Sequence, residues 1–390
     1  MSQTTTRLFT QIAGPPLRRD LPSGVSEFMA GTIERMDYVL EEIESSQPEY
    51  IAGVYVDLVD EASINAVSFC DGTHEFVGIH AGLGLLLPTI YSWLLSHPTV
   101  FPDVGDATRE KTPPRFDHGM LRRSGRFSEI PESVWNDYVS GPLDPVRAWY
   151  AISSSIVAMD FLLWHELAHL NRCHIPYLSS MRAKSDGPSS WREVNPRLQS
   201  EEVKLRNILE ADADGVATRV LAGAPIVNGL EKARFAALGD AEVKGLSWDW
   251  SYACVLWMRA VAVLFHLLAI VEDDQGISDP ARTHPHPDIR LQLVVNFSWQ
   301  QWQKVLPETV FRELTPRVAR DVVDLFRQGI LPSPASRLLK SYNRQQFGDT
   351  VRELWNGIFE HADGLNDLTG KRWDRLGKMR TRYRLRRQYK

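Results

Sequence analysis

Cysteine is scarce in this chain. Cys70, Cys173 and Cys254 are the only three in 390 residues, odd in number and scattered. That excludes a disulfide framework and points to a reducing compartment, so a cytoplasmic protein is expected. An excess of positive charge is missing too. Lys and Arg total 44 against 49 Asp and Glu, a net charge of −5, which excludes nucleic acid as a partner of the chain as a whole. The balance is uneven: residues 371–390 carry ten Lys/Arg and one Asp, a net +9, leaving −14 for residues 1–370. This basic tail either frays into solvent, clasps the acidic body of its own chain, or attaches to nucleic acid or anionic lipid. The segment Met1–Phe9 lacks a basic stretch followed by an apolar core, so no secretory leader is expected. Uninterrupted apolar runs are few. The longest, Tyr252–Val271, holds Arg259 and His266. A central arginine costs roughly 2.5 kcal/mol or more in a bilayer, so this run is expected as a buried core helix, with a membrane-associated protein as the alternative. Gly82–Leu95 is too short to span. No internal repeat or long low-complexity tract is present.

What is there suits a folded enzyme. A chain of this length with 43 % hydrophobic residues can bury one large core or two modest ones. Residues 23–47 read as an amphipathic helix, with Phe28, Ile33, Met36, Leu40 and Ile43 on its apolar side. Strands follow at about 50–58, 64–70 and 75–80, with Asp71-Gly72 as a hairpin turn between the last two. A helix spans roughly 82–95, and residues 98–145 form a long irregular loop. Further helices are expected from about Pro145 to Arg172, Glu201 to Leu221 and 248 to 273. Pro176 to Pro196 reads as a polar loop, and residues 288–360 as mostly helical. The fold class is α+β, mostly helical, with a small antiparallel sheet of about three strands. Residues 1–300 would form a core, with the N-terminal helix and sheet in 20–97, two site helices in 146–225, and a core helix and loop in 248–290. Residues 301–390 would add a helical extension ending in the basic tail.

The most informative feature is His165-Glu166-Leu167-Ala168-His169, an instance of HExxH. The histidine and glutamate content of this chain gives the pattern by chance about 0.02 times. Residues four apart share a helix face, so His165 and His169 can bind one zinc ion together. Glu166 follows the first ligand and can take a proton from a metal-bound water. Phe161, Leu162, Leu163, Trp164, Leu167 and Leu170 make the helix apolar nearly all round, so these polar groups are buried and need satisfying. No third histidine follows at the spacing of HExxHxxGxxH, because position 175 is Ile. The best acidic candidate is Glu210, in Leu209-Glu210-Ala211-Asp212-Ala213-Asp214. Glu210 and Asp214 share a face, so one can bind the metal while the other accepts the outer N–H of a ligand histidine. Asp212 lies roughly 200° round the helix and is the weaker choice of ligand.

HExxH on one helix and E-x-x-A-D on a later one resembles the gluzincin metallopeptidases, and more narrowly the family of the CAAX prenyl endopeptidases and bacterial membrane heat-shock proteases. His174 extends the match to HExxHxxxxH. Thr283-His284-Pro285 with Arg290 is similar to that family's histidine-proline…arginine element. Asn65-Ala66 through Phe69, and Phe76 through Leu83, are similar to its Asn-Ala hairpin and following strand. The resemblance covers about residues 50–300. It implies a gluzincin-like core with the sheet packed on the zinc helix, one zinc ion per chain, His174 and Asp214 supporting the ligands, and His284 with Arg290 aiding catalysis. His286, in the same loop, is the rival of His284. Those relatives usually span membranes several times, whereas this chain reads as a soluble member, so their prenylated substrate does not carry over.

The resulting expectation is a zinc endopeptidase acting on a protein or peptide substrate. Zinc is held by His165, His169 and Glu210, and Glu166 activates its water. The strand Glu75–His80 (Phe76, Val77, Gly78, Ile79 and His80) would bind substrate backbone as an added edge strand. A regulatory, stress or phage-defence role fits, since soluble HELAH proteins resemble phage-exclusion proteases. The alternatives are a catalytically silent zinc-bound sensor and a membrane-associated protease.

Overall fold

The structure is a computed structural model and describes residues 3–17, 23–46, 51, 53–71, 74–114, 125–131, 141–181, 189–191, 200–222, 250–274, 284–303, 306–331 and 344–378. Gly72, the Gly187-Pro188 pair, residues 279–283 of the histidine-proline loop and residues 379–390 of the basic tail lie outside them.

Ten helices and four strands are described: α1 (Gln3–Ile12), α2 (Ser23–Ser46), β1 (Val54–Val59), β2 (Ala66–Cys70), β3 (Glu75–His80), α3 (Ala81–Leu95), α4 (Pro145–Asn171), α5 (His174–Met181), β4 (Ser189–Trp191), α6 (Ser200–Leu221), α7 (Trp250–Asp274), α8 (Pro287–Trp302), α9 (Glu308–Arg327) and α10 (Arg344–Lys378). The protein is mostly helical with one small sheet, an α+β arrangement.

The sheet departs from expectation. It is four-stranded in the order β1-β3-β2-β4, with β1 parallel to β3 and the other pairs antiparallel. The Asp71-Gly72 signal bears only on the β2–β3 hairpin. The partner of β1 is set by burial, and Val54, Val56 and Leu58 join the main core beside Val77 and Ile79 of β3. A second correction follows. β3 is internal, hydrogen-bonded along both sides, so residues 76–80 have no open edge for a substrate strand. The outer side of β1 is covered as well: Leu17 N–H donates to Leu58 O, and Asp60 N–H to Pro15 O, both at 2.8 Å.

Besides β4, which falls in the segment read as a polar loop, two helices were not expected. α1 packs Phe9 into an aromatic cluster with Phe69 and Phe76. α5 contains Pro176, which reads as a breaker in sequence. It sits in the first helical turn, where no N–H has an intrahelical partner to lose.

α4 begins where the sequence marks it. The Asp144 carboxylate accepts from the N–H groups of Val146 and Arg147, and Pro145 occupies the first turn. Arg147 is fully buried and donates to five backbone carbonyls, at the end of α3 and in the segment after it: Leu95 (2.7 Å), His97 (2.9 Å), Val100 (2.7 Å), Phe101 (3.1 Å) and Val104 (2.9 Å). One side chain thus ties an irregular segment to the start of α4. Arg147→Met leaves those carbonyls buried without this donor, and a loss of about 3–5 kcal/mol is expected. Chemical denaturation checks it; a change below about 1 kcal/mol would show that other donors take over.

Two helices, Pro145–Asn171 and Tyr252–Val271, are long and apolar enough to cross a membrane. In this fold 78 % and 89 % of their apolar windows are buried. Within α7, Arg259 is satisfied by protein: it pairs with Asp103 (2.8 Å) and Asp321 (2.6 Å). The C-terminal extension is not a separate layer. α10 packs on α6, where Gly357 meets Ile208 so closely that a Cβ would overlap it. Arg372 reaches back to the sheet and donates to Glu75 from Nε (2.9 Å) and Nη2 (2.6 Å), both side chains buried. This buried ion pair ties residue 372, at the start of the basic tail, to β3.

Candidate metal centre

Three buried side chains converge between α4 and α6. His165, His169 and Glu210 each offer one ligand atom, and the three atoms lie within 4.8 Å of one another. The two histidines stand four apart on α4, so their Nε2 atoms are 3.1 Å apart. Glu210 faces them from α6, with Oε2 3.1 Å from His165 Nε2 and Oε1 3.4 Å from His169 Nε2. This group can hold a metal ion. The donor set, two imidazoles and one carboxylate, suits a borderline divalent cation.

Electrostatics agree. Burial opposes the charge of Glu210, but His284, His169 and His165 around it hold its carboxyl well below the usual range. Burial and the neighbouring histidines keep His169 well below its ordinary value despite Glu210, so it is neutral, as a ligand must be. His165 differs. Burial would lower it, but Asp214 and Glu210 outweigh that and push it up to about 9. The carboxylates thus favour positive charge at this point, and a bound cation would compete with the His165 proton for it.

Each ligand is supported from behind. Asp214, one turn after Glu210, places Oδ1 2.9 Å from His165 Nδ1. Arg290 of α8 grips the same carboxylate with Nε (2.8 Å) and Nη2 (2.7 Å). Arg290, expected to aid catalysis beside His284, is held by these two bonds on Asp214. α8 can come this close because position 215 is glycine; a Cβ there would lie 2.7 Å from the Phe297 ring. His174 Nδ1 lies 2.9 Å from His169 Nδ1. His284 is nearly buried, and its Nε2 lies 3.1 Å from Glu210 Oε2. His286 instead caps α8, accepting from Asp288 N–H.

Glu166 is 3 % exposed and stands outside the three-residue metal group. Burial raises its carboxyl above the ordinary value, against the pull of His165 and of Ser68 on β2. A carboxylate shifted upward is a stronger proton acceptor. The residues singled out in the sequence, His165, His169 and Glu210, are thus brought together, with Asp214, His174 and His284 beside them. The contact of Asp212 Oδ2 with His174 Nε2, at 3.0 Å, was not expected from the sequence. Searches against protein-family models, curated proteins and solved structures give no match for this chain.

Proposed function

We propose that this chain is a zinc-dependent endopeptidase of the cytoplasm that hydrolyses peptide bonds in a protein substrate, of the gluzincin type its motifs resemble. The observation that carries the reading is Glu166. It is a buried carboxylate one residue from a metal ligand and outside the ligand group, and burying it has a cost that chemistry explains. A silent metal-bound sensor would have no use for it. Zinc is the ion that best suits two imidazoles and a carboxylate with a position left open, and when bound it polarises water and the scissile carbonyl.

The protein's own groups do the rest. Glu166 accepts a proton from the attacking water and delivers it to the leaving amine. Asp214 and Arg290 keep the His165 ring oriented, as His174 does for His169. His284, beside Glu210 at the rim, donates a hydrogen bond to the oxygen that gains charge. His284→Ala is therefore expected to lower kcat more than it raises KM, because that contact forms only in the transition state. His286→Ala should be milder. Steady-state kinetics on a cleaved protein decide; the reverse order would assign the role to His286.

The reading is tested by comparing new protein N-termini in cells carrying the wild type or Glu166→Gln. Cleavages present only with the wild type identify substrates. Identical sets of N-termini would count against a peptidase.

A further inference from the structure

The described hydrogen bonds behind His169 do not stop at His174. The residue joining α4 to α5, Cys173, has a left-handed backbone (φ 57°), and this reversal brings His174 back under His169. Their rings meet edge to face, with centroids 5.0 Å apart. The proton positions along this line are then determined. If His169 gives the Nε2 lone pair to a metal, its one proton is on Nδ1, so it donates to His174 Nδ1 at 2.9 Å. His174 thereby accepts at Nδ1 and carries its proton on Nε2, which lies 3.0 Å from Asp212 Oδ2. The same oxygen accepts from Arg172 Nε at 2.9 Å, and Arg172 Nη1 donates to Asn366 of α10 at 3.0 Å. Asp212 is 1 % exposed, so its charge needs these partners.

Resting on the metal reading above, we propose that Asp212 and Arg172 are positioning residues of the metal centre. They act on His169 through His174: Asp212 fixes the His174 tautomer, the tautomer fixes the His169 ring, and Arg172 holds Asp212 in place. The two ligand histidines thus have separate supports of the same kind, Asp214 with Arg290 behind His165, and Asp212 with Arg172 behind His174 and His169.

The test is a double-mutant cycle read as zinc affinity, by competition with a chromogenic chelator. Asp212→Asn is expected to weaken zinc binding by about 10–100-fold, as the loss of an outer partner does. An amide oxygen in the Oδ2 position can accept from both His174 and Arg172 but carries no charge, and the amino group then stands at Oδ1, on the side of Arg219. His174→Leu should weaken binding at least as much, and adding Asp212→Asn to it should have no further effect, because the line is already cut. His174→Asn should recover much of the loss, since its amide oxygen can accept from His169 as Nδ1 does. Arg172→Gln, at a side chain 23 % exposed, carries the same cycle with a smaller loss of about 10-fold should Asp212→Asn fail to fold. Wild-type affinity in both the Asp212 and Arg172 variants would overturn the proposal, as would a full additional loss in the His174→Leu background. A wild-type protein that binds no zinc would overturn the metal reading itself, and this proposal with it.

Discussion

Glu166→Gln is expected to keep the fold and the bound zinc while lowering peptide hydrolysis by about 10³-fold or more. The substitution hardly changes side-chain volume, and it replaces the basic carboxylate by a neutral amide that cannot take up a proton near neutral pH. Glu166 lies outside the metal group, so metal content should not change. The loss should appear in kcat with KM nearly constant, because a base acts in the transition state and not in substrate binding. Single-turnover measurement on an identified substrate checks this. Hydrolysis at the wild-type rate would show that another group activates water.

The second large effect concerns Arg290, and it should divide stability from metal binding. Asp214 is fully buried and Arg290 nearly so. Burial raises Asp214, while Arg290 and then His165 outweigh it and hold the carboxyl below its ordinary value. Arg290→Met leaves that carboxylate without its main partner, at a cost of about 3–5 kcal/mol, and frees the support of His165. Zinc affinity should also fall by about 10–100-fold. In the double variant Arg290→Met with Asp214→Leu, both charges are gone. Stability should then recover in part, because a buried pair adds little over well-packed apolar groups. Zinc affinity should not recover, because Asp214→Leu removes the acceptor facing His165 Nδ1. Denaturation and zinc titration of the three proteins decide. A single variant unchanged in both would show that the pair is dispensable.

Much of this centre was legible from local rules. The i, i+4 spacing of His165 and His169 requires only an α-helix, and the Asp144-Pro145 start and apolar run of α4 supply one. The same rule put Glu210 and Asp214 on one face and turned Asp212 away from the ligands. What local rules do not contain is the destination of a side chain that turns away. That Asp212 meets His174 depends on the left-handed Cys173 and on the packing of α5 against α6. That Arg290 ends on Asp214 depends on Gly215 admitting Phe297. The sheet was harder for the same reason. The β2–β3 hairpin is local, whereas the parallel β1–β3 pairing brings together strands that another strand separates in sequence. Pro176 misled because its meaning depends on whether it falls inside a helix or in its first turn.

The central claim is that His165, His169 and Glu210 together hold one zinc ion, and metal analysis of the purified protein tests it most directly. The account predicts one equivalent of zinc per chain in the wild type and in Glu166→Gln, and loss of that equivalent in His165→Ala. A full equivalent of zinc retained by His165→Ala would contradict it.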